Sequence, residues 1–106
     1  EIRVTLDQVR VAVPKTLNLP RFRGTSTQLT LDQRWAIEDF VKASEFTKSV
    51  TCTAMFVNSR DRARALTRAK VACNNAKVWN RDYSVTAAVR QTKTKSLDGR
   101  VVLQSR

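Results

Sequence analysis

Between Ser59 and Lys77 the sequence reads SRDRARALTRAKVACNNAK, and no other stretch restricts the fold as strongly. At about 100° per residue, Ala65, Leu66, Ala69, Ala72, Cys73 and Ala76 gather into one apolar arc. Arg60, Arg64 and Arg68 recur at i, i+4 and i+8 along another side. A helix is the conformation that separates these two sets. Its arc is mostly alanine, so it fills no gap with side chain, and its backbone must lie close on a neighbouring surface. SVTCTAMF supplies that surface just upstream. There Val50, Cys52, Ala54 and Phe56 alternate with Thr51, Thr53 and Met55, the period of a strand with two different faces. A helix lying on a sheet predicts an α/β (α+β) two-layer sandwich.

The remaining elements follow from local signals. Ile2, Val4 and Leu6 alternate with polar residues, and Val9, Val11 and Val13 do so one step out of phase. That pattern reads as one strand with a bulge or as two short strands, ended by Pro14. LNLPRF offers a short strand in which Pro20 belongs at an edge or a strand end. Thr30-Leu31-Asp32-Gln33 is a capping box and starts a helix over about Leu31 to Ser44, with Trp35 and Phe40 expected as core anchors. Asn58 or Ser59 caps the second helix, with Asp61 in its first turn, and that helix ends between Asn74 and Trp79. Tyr83, Val85, Ala87 and Val89 alternate as another strand, and Asp98-Gly99 reads as a hairpin into the last strand, RVVLQ. The order is β-α-β-α-β-β with a mixed sheet and an extra N-terminal strand. Ile37, Phe40, Val50, Cys52, Ala54, Leu66, Ala69, Val85 and Ala87 are the expected core.

At 106 residues the chain has room for one domain, taken as 17–106 with 1–16 an N-terminal strand or linker. No apolar run approaches the roughly 20 residues of a membrane-crossing helix. The stretch EIRVTLDQVRVAV is too charged and too alternating for a signal peptide, so the chain reads as a processed module of a larger precursor. Twenty Lys and Arg against nine Asp and Glu give a formal charge of +11, which favours a polyanionic partner or serves solubility alone. With no His and only two Cys, the residues argue against a zinc site, and no cofactor is expected. Cys52 and Cys73 are left as a structural disulfide or two buried thiols. Both fall on the faces expected to meet, the strand face with Val50 and the helix arc with Ala69, so a bridge between them is predicted. A persistent disulfide places the chain outside the reducing cytosol, secreted or at the cell surface.

With these residues placed, the stretch from about Phe22 to Leu103 resembles the OmpA-like domain, the peptidoglycan-associating module of many bacterial envelope proteins. Phe22, Gly24, Ser26 and Leu29 match its F-x-G-x-S-x-x-L entry to the first helix. Arg68-Ala69, followed by Ala72 and Cys73, match its L-S-x-x-R-A-x-x-V helix, and Gly99-Arg100-Val101 match the basic start of its last strand. The divergent forms on secreted and surface proteins of actinobacteria are the most similar. The resemblance implies an Arg that works with an Asp to hold the diaminopimelate end of a peptidoglycan stem peptide. Here Arg68 stands at the Arg position, while the region expected to carry T-D-x-x-G reads Cys52-Thr53-Ala54-Met55, without Asp or Gly.

For function, the chain has no Gly-rich phosphate loop, no Gly-flanked nucleophilic Ser and no His, which argues against catalysis. The leading reading is a cell-envelope binding module that associates with peptidoglycan or another anionic wall polymer. Arg68 is expected as a carboxylate fork, at least partly exposed beside the end of SVTCTAMF, with Arg64, Arg60 and Arg100 near it. The alternative is a structural or assembly module that binds another protein or its own copies. Nucleic acid ranks third, since the basic residues are not interleaved with aromatic ones on a strand.

Overall fold

The computed structural model describes residues 15–44 and 46–106. The elements are β1 (Thr16–Asn18), α1 (Leu31–Ala43), β2 (Ser49–Phe56), α2 (Arg62–Trp79), β3 (Ser84–Gln91) and β4 (Val101–Ser105). The alternating stretch 2–13 lies outside the described residues, and so does the expectation of an extra N-terminal strand. The four strands form one mixed sheet in the order β1-β4-β2-β3, with β2 parallel to β3 and antiparallel to β4. This is an α+β architecture, as the patterning required.

The core grows from the alternation in β2. Val50, Cys52, Ala54 and Phe56 are buried, whereas Ser49, Thr51, Thr53 and Met55 on the other face are half-buried. Cys52 stands opposite Leu103 on β4 and Ala87 on β3. Above this row lie Ala65, Ala69, Ala72, Cys73 and Ala76 of α2, all buried, so the alanine arc permits the close seating inferred from it. Leu66, at the rim of that arc, is half-buried, as are Val85 and Ala87, because β3 is a marginal strand covered from one side only. Cys52 and Cys73 are bridged, with their α-carbons 5.8 Å apart, tying the central strand to the helix that covers it.

α1 begins at the expected cap. Thr30 Oγ1 accepts from the Gln33 N–H at 3.2 Å, and Gln33 Oε1 accepts from the Thr30 N–H at 2.8 Å. The Gln33 amide nitrogen then donates to Pro20 O at 2.7 Å, anchoring the helix to the end of the segment that follows β1. The inward stripe of α1 is therefore Gln33, Ile37, Phe40 and Val41. Trp35 lies about 160° around the helix from Ile37 and faces solvent at 55% exposure, so it is not a core anchor.

The Asp98-Gly99 hairpin is not formed either. β3 and β4 are not neighbours, because β4 enters the sheet on the far side of β2. The connection between them crosses the end of β2 through a short 3₁₀ turn at Lys95–Leu97. Gly99 N–H donates to Met55 O, and Met55 N–H donates to Arg100 O, so the turn pairs with the end of β2 instead of with β3.

Candidate functional site

Where β2 ends and α2 begins, the chain leaves an open cleft of about 260 Å3. Asn58 caps the single 3₁₀ turn at Ser59–Asp61, accepting from the Arg60 N–H at 3.1 Å, and α2 continues directly from it. The first turns of α2 thus place Asp61, Arg64 and Arg68 along one wall. The β3–β4 connection supplies Lys95, Asp98 and Gly99, and the segment after β1 supplies Arg21, Phe22 and Gly24. Four cationic side chains face two carboxylates.

Arg68 is 6% exposed, less than its expected place at the edge of the apolar arc implied. The Phe22–Ser26 loop folds over it. Arg68 Nε donates to Ser26 O at 2.9 Å, Nη2 donates to Gly24 O at 2.7 Å, and the guanidinium carbon lies 5.1 Å from the Phe22 ring centroid. The F-x-G-x-S stretch and the R-A stretch, far apart in sequence, are therefore the two halves of one joint. Both glycines of the chain belong to it. Gly24 has φ +48°, and Gly99 has φ +79°, so each holds a left-handed conformation that glycine accepts without strain. A Cβ on Gly99 would also stand 3.2 Å from Arg68 Nη1.

This geometry revises the carboxylate fork. The Nε and Nη2 donors of Arg68 are spent on backbone carbonyls, and only Nη1, beside Gly99, is not taken up by them. Burial, with help from the like charge of Arg64, pushes the Arg68 pKa down, while Asp98 and Asp61 oppose the shift. A guanidinium remains protonated even so. Among the described residues, Arg68 forms no salt bridge, so its charge is offset only by dipoles and by carboxylates at longer range.

Arg64 is half-buried, the more accessible of the two. Its Nη1 sits 3.4 Å from Asp61 Oδ1, a solvent-accessible pair of small energetic weight. Arg60 and Arg100 do not line the cleft. Arg60 sits in the exposed 3₁₀ turn. Arg100 is held outside, its Nε donating to Ser96 O at 3.3 Å, and Arg21 donates to the same carbonyl. Asp98 Oδ1 accepts from the Val57 N–H at 3.2 Å, fixing the carboxylate at the mouth of the cleft. Arg21, Lys95, Asp61 and Asp98 were absent from the sequence-based site. Asp61 and Asp98 each have a local explanation, as a helix-start acid and a turn acid; Asp61 meets Arg64 within the start of α2, three residues away, whereas only the tertiary fold brings Asp98 into the same cleft.

The strand order and the two helices on the sheet define an OmpA-like fold. The OmpA-like domain of FopA1 from Francisella tularensis subsp. tularensis SCHU S4 superposes with a TM-score of 0.67 over 86% of this chain and 71% of that one, at 16% sequence identity. The likeness supports the fold and not the actinobacterial secreted type. No protein-family model matches the chain, and no curated protein sequence does.

Proposed function

We propose that this domain is a non-catalytic cell-envelope binding module that associates with peptidoglycan or another anionic wall component, using the cleft at the start of α2. The observation that carries this reading is the protonated, buried guanidinium of Arg68 at the wall of a net-positive cleft, with no ion pair among the described residues. Such a charge gains from an incoming anion that brings its own counter-charge into a partly desolvated place. Arg64 is the residue that touches the ligand carboxylate, assisted by Arg68 Nη1. Asp61 and Asp98 occupy the acidic role that the stretch Cys52–Met55 lacks. The OmpA-like fold and the Cys52–Cys73 bridge both favour an extracytoplasmic address, secreted or on the surface. Residues 17–106 are the binding domain in this reading, with 1–16 an N-terminal strand or linker.

Sedimentation with purified sacculi tests it. The wild-type domain is expected in the pellet at low salt and increasingly in the supernatant as salt rises. Arg64→Ala, which leaves every buried contact in place, is expected to reduce pelleting without changing the melting temperature. A wild-type domain that stays in the supernatant at low salt, or an Arg64→Ala variant that pellets normally, overturns the assignment.

A further inference from the structure

Among the described residues, five large apolar side chains are exposed, and four of them belong to the start of α1 and the end of α2. Leu31 and Trp35 stand one turn apart on α1, 56% and 55% exposed, while Val78 and Trp79 close α2 at 65% and 44%. A groove of about 630 Å3 joins the helices there, with Leu29 and Arg34 on one bank and Val71, Asn74 and Val78 on the other. Past Asn74 and Val78 it continues into a second hollow of about 260 Å3, bordered by Lys77 and Arg81. No carboxylate lines either hollow, and none of these three cations has a salt bridge among the described residues. The acids of α1 are turned away or occupied: Asp32 and Asp39 lie about 160° and 140° around the helix from Arg34, and Glu38 is held by Lys42. Asp82 follows Arg81 in the turn after α2 but borders neither hollow. Single exposed apolar residues are ordinary on a protein surface, whereas apolar residues clustered around uncompensated cations mark a contact surface.

We propose that this end of the helix layer is a peripheral docking surface for an anionic lipid bilayer. The charge is complementary, because lipid headgroups supply the anions that Arg34, Lys77 and Arg81 lack. Each Trp has an apolar ring and one N–H, the combination that settles at headgroup level. Leu31 and Val78 separate a bilayer from other polyanions. Their aliphatic side chains gain by leaving water for the acyl boundary, whereas a nucleic acid or an acidic polysaccharide presents them with no comparable apolar layer. Val78 lies about 21 Å beyond Arg64 along α2, at 1.5 Å per residue. The surface is therefore separate from the cleft and does not rest on the wall-binding reading.

Co-sedimentation of the whole chain with vesicles of phosphatidylglycerol and phosphatidylcholine in equal parts, at physiological salt, tests the proposal. Binding is expected, and much weaker binding to phosphatidylcholine alone. Trp35→Ala should lower the partition coefficient about tenfold, the effect of roughly 55 Å2 of apolar surface left in water. Lys77→Gln and Arg81→Gln should each lower it about fivefold. In Trp79→Phe, where Trp35 is the one indole left, brominated acyl chains should quench the fluorescence. Arg64→Ala should bind vesicles as the wild type does, and Trp35→Ala should pellet with sacculi as the wild type does, so each site succeeds or fails independently of the other. A wild-type chain that stays off the anionic vesicles overturns the proposal. Full binding by Trp35→Ala, or a Trp35 that brominated lipid does not quench, overturns it equally, since either result reduces the contact to diffuse attraction between opposite charges. Tighter binding to soluble polygalacturonate than to vesicles would assign the surface to an acidic polysaccharide and overturn it too.

Discussion

Arg68→Ala removes the tie between α2 and the Phe22–Ser26 loop, and the structure indicates how much that tie is worth. Two hydrogen bonds from a charged donor contribute roughly 1.5–3 kcal/mol each, and the guanidinium over Phe22 adds about 0.5–1 kcal/mol. Against this, the variant no longer bears the cost of holding a charge away from water. The carbonyls of Gly24 and Ser26 lie in an exposed loop, where water can replace the lost donors. The net expectation is a destabilisation of about 3 kcal/mol, placing it among the large single-site effects. With a urea slope of about 1.5 kcal/mol per M, the unfolding midpoint should fall by about 2 M. Arg68→Lys keeps the charge but brings one nitrogen in place of a planar fork, so it should recover less than half of the loss. The assay is urea unfolding followed by far-UV circular dichroism, with Arg64→Ala as the neighbour that should shift the midpoint little. An Arg68→Ala midpoint within about 0.3 M of wild type, about 0.5 kcal/mol at that slope, would refute the claim that this guanidinium is a fold element.

Reduction of the Cys52–Cys73 bridge, which spans a sequence separation of 21, should cost about 3 kcal/mol in the chain-entropy account; unfolding curves with and without reductant check it, and coincident curves would contradict it. Gly99→Ala should destabilise by roughly 1–2 kcal/mol, from its positive φ and from contact with Arg68 Nη1. In an Arg68→Ala background that penalty should shrink towards the backbone part alone, as a double-mutant cycle would reveal. Trp35→Ala should change stability by no more than about 0.5 kcal/mol, because among the described residues the ring lies outside the core cluster; a larger loss in thermal unfolding would show that the ring has a packing partner.

The elements readable from sequence were those whose causes are local. The Thr30–Gln33 capping box, the alternation from Val50 to Phe56 and the alanine arc of α2 each need only a few neighbouring residues to make sense. The Cys52–Cys73 bridge was readable too, since two periodicities placed both sulfurs in one layer. Trp35 was misjudged because a mixed three- and four-residue spacing leaves the direction of the buried stripe undetermined, and Gln33, a polar residue, belongs to the stripe through its bond to Pro20. Asp98-Gly99 carries a real turn signal, but a turn signal does not say which strand the following segment joins. In the cleft, Arg64 and Arg68 were found by helical spacing. The burial of Arg68 was not, because it depends on carbonyls contributed by a loop more than 40 residues away in sequence.

The position of β4 has a consequence for how the chain leaves the ribosome. It is the last of the described strands to be synthesised, yet it lies between β1 and β2, with Leu103 fully buried opposite Cys52. Until residues 101–105 emerge, Thr16–Asn18 have no ladder to join and β2 presents a second raw margin. A nascent chain stalled near Gly99 would therefore carry a helix-covered β2–β3 pair with an open flank, a form suited to capture by chaperones or to mispairing with a neighbouring nascent chain. Completion lays β4 along that open flank and at the same time gives β1 the ladder it lacked. That order of events makes the slowest contacts, those between residues near 17 and near 103, the ones that seal the domain.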